Sequence, residues 1–440
     1  MAASVFDSPL YTRLFPTGET GRLFSDTAAI RAMLLVEGAL AQAQGKLGII
    51  PELSAAAIQR AASEIQIDPG ALAASTGENG VCVPGLVAEF RREMQAPEHA
   101  QFVHWGATSQ DIIDTGLMLR LRQCLALAEA DLRAIIAALA KDADAHAKTP
   151  MAGRTYGQHA TPTSWGAVLA GWGMPLIDAV EALPDLRDGA LWVSLSGAAG
   201  TAAALGPHAA QLRADLAKGL GLRDPGRSWH VDRGPLLRIA DWMSQVIATL
   251  AAMGHTIVGL TATDIREVSL GAAGASSTMP QKENPVSPSA IVALSHQFTG
   301  LRAGLQASGI HQHQRDGSAW FAEWLILPEL CLTHASALHH ARALSTGMTP
   351  DTAQMRRAVD ATGMVHAEAL SFALTDRMTR PAAQAATKKL CQTADQTRQS
   401  LAAAAQAAFP DLPDGLFDPT CQMGQAPAEA QAFVTRAGQL

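Results

Sequence analysis

From Pro235 onward, apolar side chains recur in steps of three and four: Leu236, Ile239, Met243, Val246, Leu250, Met253, Ile257 and Leu260. That unbroken seven-residue rhythm predicts a long helix with one apolar seam, suited to a left-handed bundle. Pro235 fits the first turn, where a missing N–H removes no helical bond. A helix of ~30 residues is ~45 Å long, the span of a small domain. A second row, Leu117, Leu121, Cys124, Ala128, Leu132, Ile135 and Leu139, predicts a helix starting near Asp111 or Asp114 and ending about Ala147. A third is expected after Pro162, a fourth over roughly Pro288 to Ala307, and a fifth from about Leu325. Alanine and leucine dominate and β-branched runs are few, which favours helix over strand.

The expected fold class is therefore all-α, in three helical domains. Residues 1–105 read as a smaller N-terminal helical domain and 106–349 as a central long-helix bundle. Residues 350–440 read as a C-terminal helical domain, with turns at Pro410, Pro413 and Pro419. A chain of 440 residues exceeds a single ordinary core. The length of the seam points to assembly of several chains through the bundle.

Charge and composition narrow the partners. The formal net charge is −7 and there is no basic stripe, so nothing favours nucleic acid. No apolar run approaches the length of a membrane span, and the N-terminus lacks the basic and apolar regions of a signal peptide. Cys82, Cys124, Cys331, Cys391 and Cys421 are scattered and odd in number, as expected for free thiols in a reducing cytoplasm. His311 and His313 alternate, and in a helix their rings would diverge, so no metal is expected.

Three segments carry chemistry. Residues 274–285 read Gly-Ala-Ser-Ser-Thr-Met-Pro-Gln-Lys-Glu-Asn-Pro, placing Ser276 and Ser277 near Lys282 and Asn284. Glycines before it and prolines within it predict a mobile loop, the composition a closing lid would need. Residues 104–115 put Thr108 and Ser109 at the start of the second long helix, where unsatisfied N–H groups cradle anions. Capping by Ser109 or Asp111 accounts for one polar group of that cluster only. Residues 153–166 hold Thr155, Gln158 and His159, which suit hydrogen bonding and proton transfer. Taken singly, His159 is more often a structural histidine than a catalyst.

Ser276-Ser-Thr-Met-Pro-Gln-Lys-Glu-Asn resembles the signature loop S-S-x-M-P-x-K-x-N of the fumarase/aspartase superfamily. Residues 104–115 resemble its first motif in the G-x-T-S-x-D form, and 153–166 its second. The resemblance implies that Ser276 is the catalytic hydroxyl and that Lys282, Asn284, Thr108 and Ser109 hold substrate carboxylate. It also implies a homotetramer whose active sites are shared between subunits, working without an organic cofactor or metal. One departure is telling: Tyr156 stands where fumarases and succinate-type lyases carry a histidine, and His159 follows three residues on. The muconate cycloisomerases of the superfamily share an aromatic residue there, followed by Gln-His-Ala.

The stretch Gln314-Arg-Asp-Gly-Ser-Ala-Trp-Phe-Ala-Glu-Trp is also similar to theirs. That branch implies addition of a carboxylate to a conjugated double bond within one small tricarboxylate. Ser276 would move the proton, Arg315 would take a third carboxylate, and His159 would orient the substrate or assist. Trp320 and Trp324, four apart on one helix face, read first as packing. Two other readings stand beside this one: an adenylosuccinate lyase-like enzyme releasing fumarate, and a catalytically silent helical scaffold.

Overall fold

A computed structural model describes residues 4–271, 274–275 and 278–440 of the chain. The heptad row is a helix, Gly234–Leu260, and none of its eight seam residues is more than 3% exposed. Burying each such side chain is worth ~1.5–3 kcal/mol, so packing rather than intrinsic propensity holds the helix. By length and composition this helix could cross a membrane, contrary to the expectation that no apolar run comes close. Its seam is taken up by the fold, however, and its Arg238 and Asp241 bond the Gly189 carbonyl and the Arg302 guanidinium. It is a core helix.

The second row forms Ser109–Ala145, with all seven expected apolar positions buried. The later helices are Trp165–Glu181, Val286–Ser308 and Gly317–Gly347. The last starts well before Leu325 because Asp316 caps it, accepting the N–H groups of Ser318 and Ala319 at 2.9 and 3.2 Å. His311 and His313 lie outside any helix, in the loop before that cap, so divergence on a helix does not describe them.

The fold is mostly helical, and the strands among the described residues form three two-stranded pairs that an all-α reading omits. The longest pairs Pro150–Thr155 with Gln158–Ser164 through the two-residue turn Tyr156-Gly157. Both turn residues have positive φ, 52° and 74°, as a right-twisting hairpin with a two-residue loop requires. Smaller pairs join Val268–Leu270 to Met348–Pro350, and Gly274–Ala275 to Glu283–Asn284.

The chain packs into two compact units, each gathered from three stretches of sequence. The first comprises Met1–Ala130, Glu181–Ile247 and Ala293–His339. The second comprises Asp131–Val180, Ala248–Val292 and His340–Leu440, and includes a cluster of Leu370, Leu374, Ala383 and Leu401 from the C-terminal segment. At Gly173 in the second unit a Cβ would meet the Phe433 ring at 2.1 Å, so only glycine admits that ring. The long seams are filled by the chain's own side chains, so their length alone does not require a second copy.

Candidate active site

In the first unit the site is built around the start of the Ser109–Ala145 helix. Asp111 is fully buried and is the fixed point of the neighbourhood. Its carboxylate accepts the N–H groups of Thr108 (3.1 Å), Ser196 (2.9 Å) and Gly197 (2.9 Å), the Ser194 hydroxyl (3.0 Å) and His230 Nε2 (2.8 Å). Burial pushes its carboxyl upward, but His230 and the backbone donors outweigh that and hold it below the usual aspartate range. Asp111 thus caps the helix, and the Thr108 hydroxyl is left for other work.

That hydroxyl accepts from Arg315 Nη2 at 3.3 Å. Arg315 Nε donates to Gln110 Oε1 at 2.9 Å and Nη2 also to the Ala198 carbonyl at 3.2 Å. Two expected carboxylate binders, Thr108 and Arg315, are therefore brought together from positions 207 residues apart. Ser109 sits beside them, half-buried, as the first helical residue. Arg315 remains exposed, so a guanidinium, a hydroxyl and a helix N-terminus face a place that solvent can reach.

Below lies a buried ion triad. Arg233 donates to Asp114 at 2.7 and 3.1 Å and to Glu323 at 2.8 Å through two nitrogens, and its guanidinium covers the Trp229 ring at 4.8 Å. Burial works against its charge, but the two carboxylates raise the Arg233 pKa above the arginine norm. Burial likewise pushes Glu323 up, against the pull of Arg233. Trp320 is 2% exposed and packs on Trp324 with ring centroids 4.7 Å apart, which bears out the packing reading for this pair.

In the second unit, Thr155, Gln158 and His159 occupy the tip of the long hairpin, and all three are exposed. Tyr156, between them, is fully exposed at 105%. The hairpin base is tied down by Arg154, which grips the buried Glu267 with two nitrogens at 2.9 and 2.6 Å. Lys282 and Asn284 line a cleft of about 640 Å³ together with Thr261, Arg266, Ser269 and Asp351. Ser276, the expected catalytic hydroxyl, lies outside the described residues, as does Ser277.

Sequence reasoning missed Asp111 as an organiser, the Arg233 triad and Glu267. A signal was present for the triad: Asp114 and Glu323 interrupt strongly apolar helices, a pattern that asks for a buried partner.

The family model for lyases matches residues 17–300. A 3-carboxy-cis,cis-muconate cycloisomerase of Pseudomonas aeruginosa is 39% identical over 97% of this chain and 95% of its own length. A nitrosuccinate lyase of Streptomyces davaonensis is 35% identical over 97% of the chain and 94% of that protein. Among solved structures, the 3-carboxy-cis,cis-muconate lactonizing enzyme of Pseudomonas putida superposes with a TM-score of 0.91 at 34% identity, covering 98% of this chain and 99% of that one. The expected signature loop, the mostly helical fold and these matches agree, and the protein belongs to the fumarase/aspartase superfamily of lyases.

Proposed function

We propose that this enzyme is a cycloisomerase converting 3-carboxy-cis,cis-muconate to 4-carboxymuconolactone. The observation that carries the reading is its likeness, over nearly the whole chain, to cycloisomerases of that name from several bacteria. Tyr156 supports it, because the turn holds no histidine where succinate-type elimination would use one.

In the reaction, a carboxylate oxygen of the substrate bonds to a carbon of the conjugated system. The π pair moves to the carbon beside another carboxyl group, and that carbon takes a proton. Charge builds on the carboxyl as the pair arrives, so the site must supply donors there. We assign the proton to Ser276, activated by loop amides and Lys282. Lys282 and Asn284 hold one carboxylate, Thr108 and Ser109 another, and Arg315 the third. His159, with Thr155 and Gln158, orients the attacking carboxylate or assists the proton transfer. This chemistry asks for no organic cofactor or metal.

We further infer a homotetramer in the cytoplasm, in three helical domains, with each site drawn from more than one subunit. The exposed hairpin tip supports this arrangement, since its polar groups are covered by no described residue of their own unit. Incubation of the purified protein with 3-carboxy-cis,cis-muconate should abolish the muconate ultraviolet absorbance. Release of fumarate from adenylosuccinate or another succinyl compound, with muconate untouched, would instead make it a succinate-type lyase. No turnover of either by a stably folded protein would leave a silent scaffold.

A further inference from the structure

Away from the groups discussed so far, the first unit contains a cavity of about 310 Å³ walled by Phe24, Met33, Leu117, Trp324 and Leu327, with Arg120 among its lining residues. Among the described residues, Arg120 is a cation without a paired anion. Its Nη1 reaches the Leu23 carbonyl at 3.4 Å, and its guanidinium lies 5.6 Å from the centre of the Phe24 ring. Its Nε is buried with no hydrogen-bond partner.

The titratable groups that act on its charge are Cys124, Cys331 and Cys82. Burial pushes all three thiols up, Cys124 to about 12, so they stay neutral near pH 7 and offer no countercharge. Glu323 shares the cavity wall, but both of its oxygens accept from Arg233. Asp26 also lies on the wall, is exposed, and forms no ion pair with Arg120. Burial pulls the Arg120 guanidinium below the usual arginine range. The contrast with Arg233 is plain: there two carboxylates offset the loss of water, and here no described residue does.

We propose that this cavity is a binding site for a small monocarboxylate with a flat apolar body, its carboxylate seated on Arg120. An incoming carboxylate supplies the acceptors that the guanidinium lacks, in a geometry where two parallel bonds form. Phe24, Trp324, Leu117 and Leu327 supply apolar surface for a single ring. A second negative charge is disfavoured, because Asp26 and Glu323 share the wall. The site is separate from the residues assigned to turnover and does not depend on the cycloisomerase reading.

Titration calorimetry of the full-length protein with benzoate tests this, with benzyl alcohol as the uncharged control. Wild type should bind benzoate and not benzyl alcohol. Arg120→Leu should weaken benzoate binding about ten- to a hundredfold, the loss of one charge-assisted pair, while leaving turnover intact. Ala29 also lines the cavity, and Ala29→Phe, which fills it and keeps the guanidinium, should weaken binding as strongly and decides the matter should Arg120→Leu not fold. Unchanged affinity in Ala29→Phe, equal affinity in wild type and Arg120→Leu, or no binding at millimolar benzoate would each overturn the proposal.

Discussion

Arg315 is the side chain to which the proposed function assigns substrate grip in the first unit. It is held by Gln110, Thr108 and Ala198 yet remains exposed, so it is pre-positioned and still has donor capacity to offer. Replacing it by Met should lower kcat/KM about ten- to a hundredfold, chiefly through KM, since a carboxylate contact made before and during reaction is lost. Arg315→Lys should recover only part, because an ammonium cannot hold the Gln110 and Thr108 contacts in one plane. Steady-state kinetics on both variants check this; an unchanged KM in Arg315→Met would remove Arg315 from the site. Asp111 acts one layer further in. Its carboxyl is depressed in the fold, so its contribution to stability is fully present above the ordinary value of about 3.9 and is lost as pH falls through the depressed value. The melting temperature of Asp111→Asn should therefore lie below wild type by a constant margin near neutrality, and the margin should shrink under acid conditions. A margin that grew on acidification would mean that the charged form is not the one the fold prefers.

The hairpin of residues 150–164 shows how an element can spend local stability on position. Tyr156 adopts a left-handed conformation that costs ~1–2 kcal/mol for a residue with a Cβ, and its exposed ring recovers no packing within its own unit. Asparagine tolerates that conformation well, so Tyr156→Asn should raise stability by up to about 1 kcal/mol. If the aromatic ring serves the reaction, the same variant should lose turnover; a gain in stability with full activity would assign the tyrosine no role. This element was also the least legible in the sequence. Its strands show no clear apolar alternation, and Tyr-Gly lacks the Asn-Gly signature of a two-residue turn, so a helical composition swept it into an all-α reading. The Gly234–Leu260 helix was legible for the opposite reason, because every third or fourth residue repeats the same burial decision. The site was readable as chemistry and not as geometry. Thr108 and Lys282 announced themselves by residue type, whereas the approach of Arg315 to Thr108, or of Arg233 to Asp114 across 119 positions, follows only from tertiary packing.

At the scale of the molecule, the question is what encloses the reaction. Charge developing on a substrate carboxyl is stabilised far better by fixed donors in a dry site than by the same donors in water. Thr155, Gln158 and His159 stand exposed on their hairpin, and Lys282 is exposed on its cleft, so a water-excluding site needs a further surface. Leu325, 77% exposed, and Phe321, 43% exposed, are apolar side chains of one long helix that a neighbouring chain could cover. Under the proposed function a second copy meets both needs, and the proposal pairs Ser276 of one protomer with His159 of another. Two inactive variants, Ser276→Ala and His159→Ala, then carry complementary defects. Co-expressed in equal amounts and assembled at random, they should form hybrids in which about a quarter of the sites receive both intact residues, and activity should rise accordingly. Recovery should follow the mixing ratio and vanish when the variants are assembled separately and mixed without subunit exchange. Activity no greater than the sum of the two variants at every ratio would place both residues in a site made by a single chain.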